Sequence, residues 1–417
     1  MADKKILFVT HLFHPARGGV EAHLTRLSQA LVARGYAVEV LTTNAYSTEC
    51  FFLGDKRRVG AMVEIIRGVK VERLGFRTCG RRILNMLRTA ACHIKYPFND
   101  WIRFYSFGPR NPYFFKRIME IKPGLILTAP FPTFNVYYAW KAAKKLEIPL
   151  IINPAIHIHD PCGYSNPVFY RIMKQADLVA VHSETEKQHI IREGELDANN
   201  VKVFPPLPFE EKDLNLPPAV PLEKDEVKKR YGIKQKSVLL FLGQHGRHKN
   251  IQTILKAMPR VWDHVPDTAL VIAGGTTAYT SKLKQISGEH APSSDGKVYF
   301  IDDFPREEKR ALYSMADVFI SLSDFESFGI VFVEAMLHRL PVVASVFSIA
   351  RTIVQDFHSG LLVNPYCDAE TSGAIVELLL DKAIRRVYGE NGRKAVLKHY
   401  APRVIVDQWE ESLTALL

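Results

Sequence analysis

A pattern of apolar strand, turn-rich loop and amphipathic helix runs through this chain twice, and it restricts the fold more than any other feature of the sequence. Residues 5–10 form a short apolar run of the kind a buried strand needs. A loop of turn residues follows, then Val20, Leu24, Leu27 and Leu31 at helical spacing, Gly35 as a stop, and a second strand at 38–42. Strand, helix and strand in so short a span make a βαβ unit, which requires a parallel sheet with helices over its faces. Similar runs at 125–128, 150–153 and 178–182 extend that sheet. Between 204 and 221 the composition changes, with Pro205, Pro206, Pro208, Pro217, Pro218 and Pro221 around an acidic patch, as in an extended linker. The alternation then restarts with strands at 238–242, 269–273, 298–301, 317–321 and 341–345, and with Ile251, Ile254, Leu255 and Met258 as a helix face. The expected fold class is α/β: two doubly wound Rossmann-like domains, 1–208 and 209–399, facing across a cleft lined by the carboxyl ends of both sheets. A length of 417 residues with 47% hydrophobic content suits two cores better than one.

Five scattered cysteines, Cys50, Cys79, Cys92, Cys162 and Cys367, include no pair at metal-ligand spacing, and an odd number disfavours a disulfide framework. A reducing, cytoplasmic setting is expected, with no bound metal. The start of the chain leads straight into an apolar strand rather than an export signal. The longest uncharged stretch, 123–140, is broken by Pro130, Pro132, Thr133 and Asn135, a poor membrane span. Net charge is +11, and the excess gathers in residues 81–122. There Arg81, Arg82, Arg88, Lys95, Arg103, Arg110, Lys116, Arg117 and Lys122 interleave with Trp101, Phe104, Tyr105, Phe107, Tyr113, Phe114 and Phe115. Two readings stand: a peripheral contact with an anionic membrane surface or lipid-pyrophosphate acceptor, or a solvated basic face over a helical subdomain. Nucleic acid is not an expected partner, because no base-reading module accompanies the charge.

Three loops carry candidate chemistry, each between a strand end and a helix start. In the first, Gly18 and Gly19 let backbone approach an anion beside the positive end of a helix; a tight turn needing positive φ would show the same pair. The second, 243–250, holds Gln244, Arg247 and Lys249, and positive charge at a helix start needs an anion to justify it. The third runs Asp324-Phe325-Glu326-Ser327-Phe328-Gly329-Ile330-Val331-Phe332-Val333-Glu334-Ala335-Met336. Two carboxylates straddle its loop-to-helix junction, with Gly329 and the amides of Ser327, Phe328, Ile330 and Val331 available between them for phosphate oxygens. Glu334 lies among apolar neighbours, where a carboxylate needs a hydrogen-bonding partner, and ribose hydroxyls would serve. A solvent-facing helical Glu with a capping loop Glu is the plainer alternative.

Glu326 through Met336, followed by Leu340-Pro341-Val342-Val343-Ala344-Ser345, resembles the Glu-x7-Glu signature of family 4 of the retaining glycosyltransferases, whose fold is GT-B. The segments Pro15 with Gly18-Gly19-Val20-Glu21, Ala176-Asp177 with Ser183, Lys249, Gly274-Gly275, Ala316-Asp317 and Gly360-Leu361-Leu362-Val363 agree in order and spacing, so the similarity runs nearly end to end. The resemblance implies a return helix at about 400–417 on the first domain. It also implies a donor sugar nucleotide, UDP- or GDP-linked, held by the second domain, and a glycan or lipid-linked acceptor held by the first. In those terms Glu334 binds ribose, Glu326 contacts the hexose, and Lys249, the 328–331 amides and Gly18-Gly19 hold the diphosphate, with no cofactor or metal. Gln244 stands where the family carries Arg, leaving Arg247 to reach in from the loop, and Ser348-Ile349-Ala350-Arg351-Thr352 replaces a Gly-Gly-x-x-Glu segment. His157 and His159 follow the 150–153 strand, where some relatives place an active-site His; alternation sets both on one side if that strand continues. An epimerase or phosphorylase fits less well, since no pyridoxal-bearing lysine segment is evident. The departures also motivate a weakly active or inactive homologue that binds sugar nucleotides as a partner subunit.

Overall fold

The computed structural model describes residues 5–417 apart from 17, 53–54, 77–82, 84–85, 88–89, 91–98, 159–163, 215–220, 291–295, 303, 306–307 and 348. The chain divides into two compact units, Met1–Leu207 with Pro402–Leu417, and Pro208–Ala401.

The first unit is built on strands β1 (Ile6–Thr10), β2 (Val38–Thr43), β3 (Val63–Ile66), β4 (Val69–Leu74), β5 (Leu125–Ala129), β6 (Leu150–Ile152), β7 (Leu178–Val181) and β8 (Val201–Val203), in sheet order β3-β4-β2-β1-β5-β6-β7-β8. Helix α1 (Gly19–Ala33) makes the first crossover. Strand alternation sorts the core into two faces. Ile6 and Phe8 of β1 join Leu24, Leu27 and Leu31 of α1 on one side, while Leu7 and Val9 join an aromatic-rich cluster on the other. Among the described strands only β3 runs antiparallel, in a hairpin that turns at Arg67 (φ 47°) and Gly68 (φ 85°), two left-handed residues in succession as a two-residue turn requires. The sequence reading missed this hairpin because neither strand forms an apolar run: β3, at the sheet edge, alternates exposed and half-buried residues, and β4 alternates buried and half-buried ones.

In the second unit β9 (Ser237–Leu242), β10 (Thr268–Gly274), β11 (Val298–Asp302), β12 (Val318–Ser321), β13 (Val342–Ser345) and β14 (Gly360–Val363) form a parallel sheet in the order β11-β10-β9-β12-β13-β14. Its helices include α2 (Ile251–His264), α3 (Lys309–Met315), α4 (Ile330–Leu337) and α5 (Lys382–His399). The face read from sequence on α2, Ile251, Ile254, Leu255 and Met258, is fully in the core. The final helix α6 (Pro402–Leu416) returns to the first unit, where Ile405, Val406, Trp409 and Leu413 are buried and the Trp409 ring stacks on Phe204 at 4.4 Å.

The basic segment 81–122 is less exposed than its composition implies. Arg81, Arg82, Arg88 and Lys95 lie outside the described residues. Phe104, Phe107 and Phe114 are core residues, Phe104 packing on Phe134 and Phe169, so these three cannot serve as surface anchors. Helical periodicity separates them from Trp101, Tyr105 and Tyr113, which are exposed. Arg117 is also neutralised, forked onto both oxygens of Glu72 at 2.7 and 3.0 Å and paired with Glu120 at 2.9 Å.

One device occurs once in each unit. Asp177, just before β7, bonds the start of β6: its carboxylate accepts from Leu150 N at 2.8 Å and its own N–H donates to Leu150 O at 3.0 Å. Asp317, just before β12, bonds Val238 at the start of β9 in the same way, at 2.8 and 2.9 Å. The two Ala-Asp pairs therefore close the amino ends of buried strands, whose polar groups would otherwise be costly. Asp177→Ala is expected to lower stability by about 1–3 kcal/mol and Asp177→Asn by less, since the amide oxygen still accepts. Urea unfolding of the two variants checks the order.

Candidate functional site

At the carboxyl end of β12 the chain leaves the core through Leu322 and Ser323, both buried, and enters α4 at Gly329. Gly329 has φ 78°, and a Cβ there would lie 2.5 Å from the Phe332 ring, so both conformation and space demand glycine. No side chain caps α4, and its first N–H groups therefore lack the usual acceptor. Ile330 and Val331 open the helix and Ser327 is half-buried before it, while the Phe328 ring is held edge-on to Tyr400 at 5.5 Å.

Both carboxylates are withdrawn from solvent, Glu326 with 14% and Glu334 with 10% of its side chain exposed, which rules out the solvent-facing alternative. Each is held by a lysine. Glu326 pairs with Lys249 and accepts from Ser323 Oγ at 3.0 Å. Glu334 pairs with Lys309 and accepts from Tyr313 Oη at 2.9 Å. Lys309 and Tyr313 sit four apart on α3 and so reach from one helix face. Burial, with the Glu334 charge second, pushes the Tyr313 hydroxyl well above its ordinary range and keeps it a donor. His338, stacked on Tyr313 at 5.2 Å, is driven down to about 4, chiefly by burial, and is neutral near pH 7. Sequence reading expected a partner for Glu334 but missed Lys309 and Tyr313; the signal available was a cation and a hydroxyl one turn apart on a helix leading into β12.

The loop after β9 supplies Lys249 from a short 3₁₀ turn, Arg247–Lys249. Asn250 adopts φ 50° and ties this turn to the acid loop, its amide donating to Leu322 O at 2.9 Å and to Asp324 Oδ1. Asp324 also accepts from Tyr366 Oη at 2.7 Å, and the His248 and Phe325 rings stack at 4.9 Å. Two sequence motifs thus become one rigid assembly around Lys249 and Glu326. Arg247 and Gln244 are exposed, the Arg247 guanidinium lying over the Tyr279 ring at 5.2 Å.

In the first unit, Gly18 and Gly19 are exposed at the start of α1. Gly18 has an extended φ of 173°, so the turn argument for a glycine here fails. A Cβ on Gly18 would fall 2.0 Å from the carboxylate of buried Glu21, so a larger residue there would displace that side chain. Burial raises the Glu21 carboxyl and lowers His11, 4.0 Å away at the end of β1, to about 3, so His11 is neutral. Neither was singled out from sequence as a site residue. His157 is half-buried, its ring edge-on to Tyr164 at 5.1 Å. The alternation argument for it is overturned, since β6 ends at Ile152; the loop is set instead by Glu186, which accepts from Ile156 N at 2.6 Å and His182 N at 2.7 Å. His159 lies outside the described residues. Among those residues no group of three or more His, Cys, Asp or Glu is placed to hold a metal, and no helix is long and apolar enough to cross a membrane.

Comparison with known proteins matches Glycosyltransferase Family 4 over residues 17–207 and Glycosyl transferases group 1 over residues 223–395. The chain is 25% identical over 186 residues to the N-acetyl-alpha-D-glucosaminyl L-malate synthase of Bacillus anthracis, spanning 44% of this chain and 47% of that protein. It is 29% identical over 211 residues to the GDP-mannose-dependent alpha-(1-6)-phosphatidylinositol monomannoside mannosyltransferase of Mycolicibacterium smegmatis, spanning 47% and 52%. The chain thus spans about half the length of these curated relatives. Among solved structures, sucrose-phosphate synthase from Thermosynechococcus elongatus superposes with a TM-score of 0.74 at 21% identity over 99% of both chains. Anabaena HepE in complex with UDP and glucose superposes at 0.73 and 19% over 99% of this chain and 100% of its own. With both matched patterns in order and two parallel-dominated α/β sheets, the chain belongs to family 4 of the glycosyltransferases and has the two-domain, Rossmann-like GT-B fold.

Proposed function

We propose that this protein is a metal-independent, retaining glycosyltransferase that moves a hexose from a UDP- or GDP-sugar to a glycan or lipid-linked acceptor. One observation carries the reading: two buried carboxylates, each held by a lysine, flank an uncapped helix start at the carboxyl edge of a parallel sheet. That edge is where open α/β sheets bind ligands, and helix starts attract phosphate. Support for the donor class comes from HepE, solved with UDP and with UDP-glucose, and from relatives named as GDP-mannose-dependent.

In this reading Glu334 accepts hydrogen bonds from ribose hydroxyls, held in place by Tyr313. Lys249, the 328–331 amides and Gly18-Gly19 neutralise the diphosphate, with Arg247 as a further cation in place of the residue that Gln244 replaces. Glu326 contacts the hexose, and His157 or His159 serves the acceptor side. The acceptor oxygen bonds to the anomeric carbon as the sugar–phosphate bond breaks, and its proton passes to an oxygen of the departing diphosphate on the same face. No protein nucleophile enters; stabilising the leaving charge is the main contribution of the protein.

Thermal shift against UDP, GDP and their sugars identifies the donor, and stabilisation without donor hydrolysis or transfer would favour the inactive-homologue reading. Glu334→Gln is expected to weaken UDP or GDP binding by about 10- to 100-fold, the loss of one or two hydrogen bonds to a charged group. Lys249→Ala should instead lower kcat by about 10²- to 10³-fold, as for removal of one group that stabilises developing charge. Near-wild-type titration and turnover in both variants would remove these residues from the site.

The cytoplasmic reading rests on the cysteine pattern, and the peripheral-membrane reading on the basic segment, where Trp101, Tyr105 and Tyr113 remain exposed. Vesicles containing anionic lipid should float the protein at low salt and release it as salt rises, and Trp101→Ala with Tyr113→Ala should reduce the bound fraction. Absence of flotation at any salt would leave a solvated basic face.

A further inference from the structure

The amino edge of the sheet in the second unit carries an unexplained concentration of positive charge. A cavity of about 340 Å³ opens there, lined by six cations, Lys224, Arg339, Lys382, Arg385, Arg386 and Arg393, and by two carboxylates, Asp317 and Glu390. Tyr313 and His338 contribute stacked rings to the wall. Asp317 and Pro341 precede β12 and β13, so this cavity lies at the opposite strand ends from the Glu326 turn. A volume at the small end of the ligand-pocket range suits a small molecule or headgroup rather than an extended polymer.

Neither carboxylate is free to balance the cluster. Asp317 is shared between Val238 N at 2.8 Å and Lys224 Nζ at 2.6 Å, and Glu390 is engaged by Arg339 Nε at 2.7 Å. Four cations remain. Arg385 donates to Leu378 O and Leu379 O, and Arg393 to Leu337 O and Leu214 O, bonds that orient the guanidinium groups without neutralising them. Lys382 and Arg386 have no ion-pair partner among the described residues.

The placement of these charges opposes local stability. Lys382, Arg385 and Arg386 occupy the first turns of α5, whose N-cap Asp381 accepts from the Ala383 and Ile384 N–H groups at 2.8 and 2.9 Å but forms no ion pair with these three cations among the described residues. Lys382 and Arg386 are like charges four apart, an arrangement that costs rather than stabilises. Close packing brings this helix to the cavity: a Cβ on Gly389 would lie 2.1 Å from Arg339 O. The Arg393 guanidinium is depressed below its ordinary range by burial first and by Arg339 second, with Glu390 opposing.

We propose that this cavity is a second anion site, distinct from the Glu326–Glu334 turn, that takes a phosphate or pyrophosphate group of a small molecule or a lipid headgroup. An incoming polyanion supplies the countercharge the lining lacks, and Arg385 and Arg393 are already oriented to receive it.

Tripolyphosphate serves as the probe, titrated calorimetrically with UDP and GDP in excess. Wild-type protein should bind it, and Lys382→Ala with Arg386→Ala should weaken binding by about 10- to 100-fold, the loss expected for two charge-assisted contacts. Both side chains are exposed, so folding is expected to survive, and circular dichroism confirms it. Hydrogen exchange should show the probe protecting residues 382–393. In Lys249→Ala the titration should be unchanged; this control keeps the test readable even if the donor assignment fails. Flotation on phosphatidylcholine vesicles carrying phosphatidic acid, lost in the double variant, would assign the phosphate to a lipid; calorimetric binding without such flotation would assign it to a soluble ligand. Absence of tripolyphosphate binding at millimolar concentration, or binding lost in Lys249→Ala and kept in the double variant, would overturn the proposal.

Discussion

A buried parallel strand must have every backbone polar group satisfied and both faces covered, and the rest of this molecule follows from that requirement. Sheet neighbours satisfy the middle of each strand. At the amino ends, Asp177 and Asp317 close the ladder with paired side-chain and backbone bonds to Leu150 and Val238. The carboxyl ends are left to the loops, and there the second unit gathers its acids, lysines and glycine turn. In the second unit the amino edge is closed by the carboxylate of Asp317, and the carboxyl edge carries the lysine-paired acids beside an uncapped helix start.

Ion pairs at that second edge are not easily explained as stabilising elements. Removing two carboxylates and two lysines from water is expensive, and apolar residues of similar size would often serve stability as well. Their retention agrees with a site that needs charge on both sides of an uncapped helix start. Glu334 is gripped by Lys309 and Tyr313, and Glu326 by Ser323 and by Lys249 from the loop after β9. Asn250, bonded to Leu322 and Asp324, joins the two loops into one assembly, so the lysine and the acid keep their registry.

Much of this was legible in the residue order. The apolar runs locate the parallel strands because such strands are buried on both faces, and the helical spacing of Ile251, Ile254, Leu255 and Met258 marks a core face. The Glu326–Glu334 segment identified the turn and its acids. Other elements escaped. The β3–β4 hairpin pairs a half-exposed edge strand with one that alternates buried and half-buried residues, and neither has an apolar run to announce it. Phe104, Phe107 and Phe114 read as part of a surface patch because composition does not distinguish the two sides of a short helix. Gly18 read as a glycine contacting an anion or making a tight turn; its φ is extended, and a Cβ there would meet the buried carboxylate three residues on.

The sequence by itself determined the parallel α/β class, the positions of most strands and the acid-flanked glycine turn, because hydrophobic period and local turn chemistry are properties of neighbouring residues. Tertiary structure alone decided the partners: Lys249 for Glu326 across 77 positions, Lys309 and Tyr313 for Glu334, and the cations of the amino-edge cavity brought together from 224, 339 and 382–393. Those pairings depend on which side chains the sheet order carries to the same edge. That order is set by long-range packing, which leaves no periodic trace in the chain.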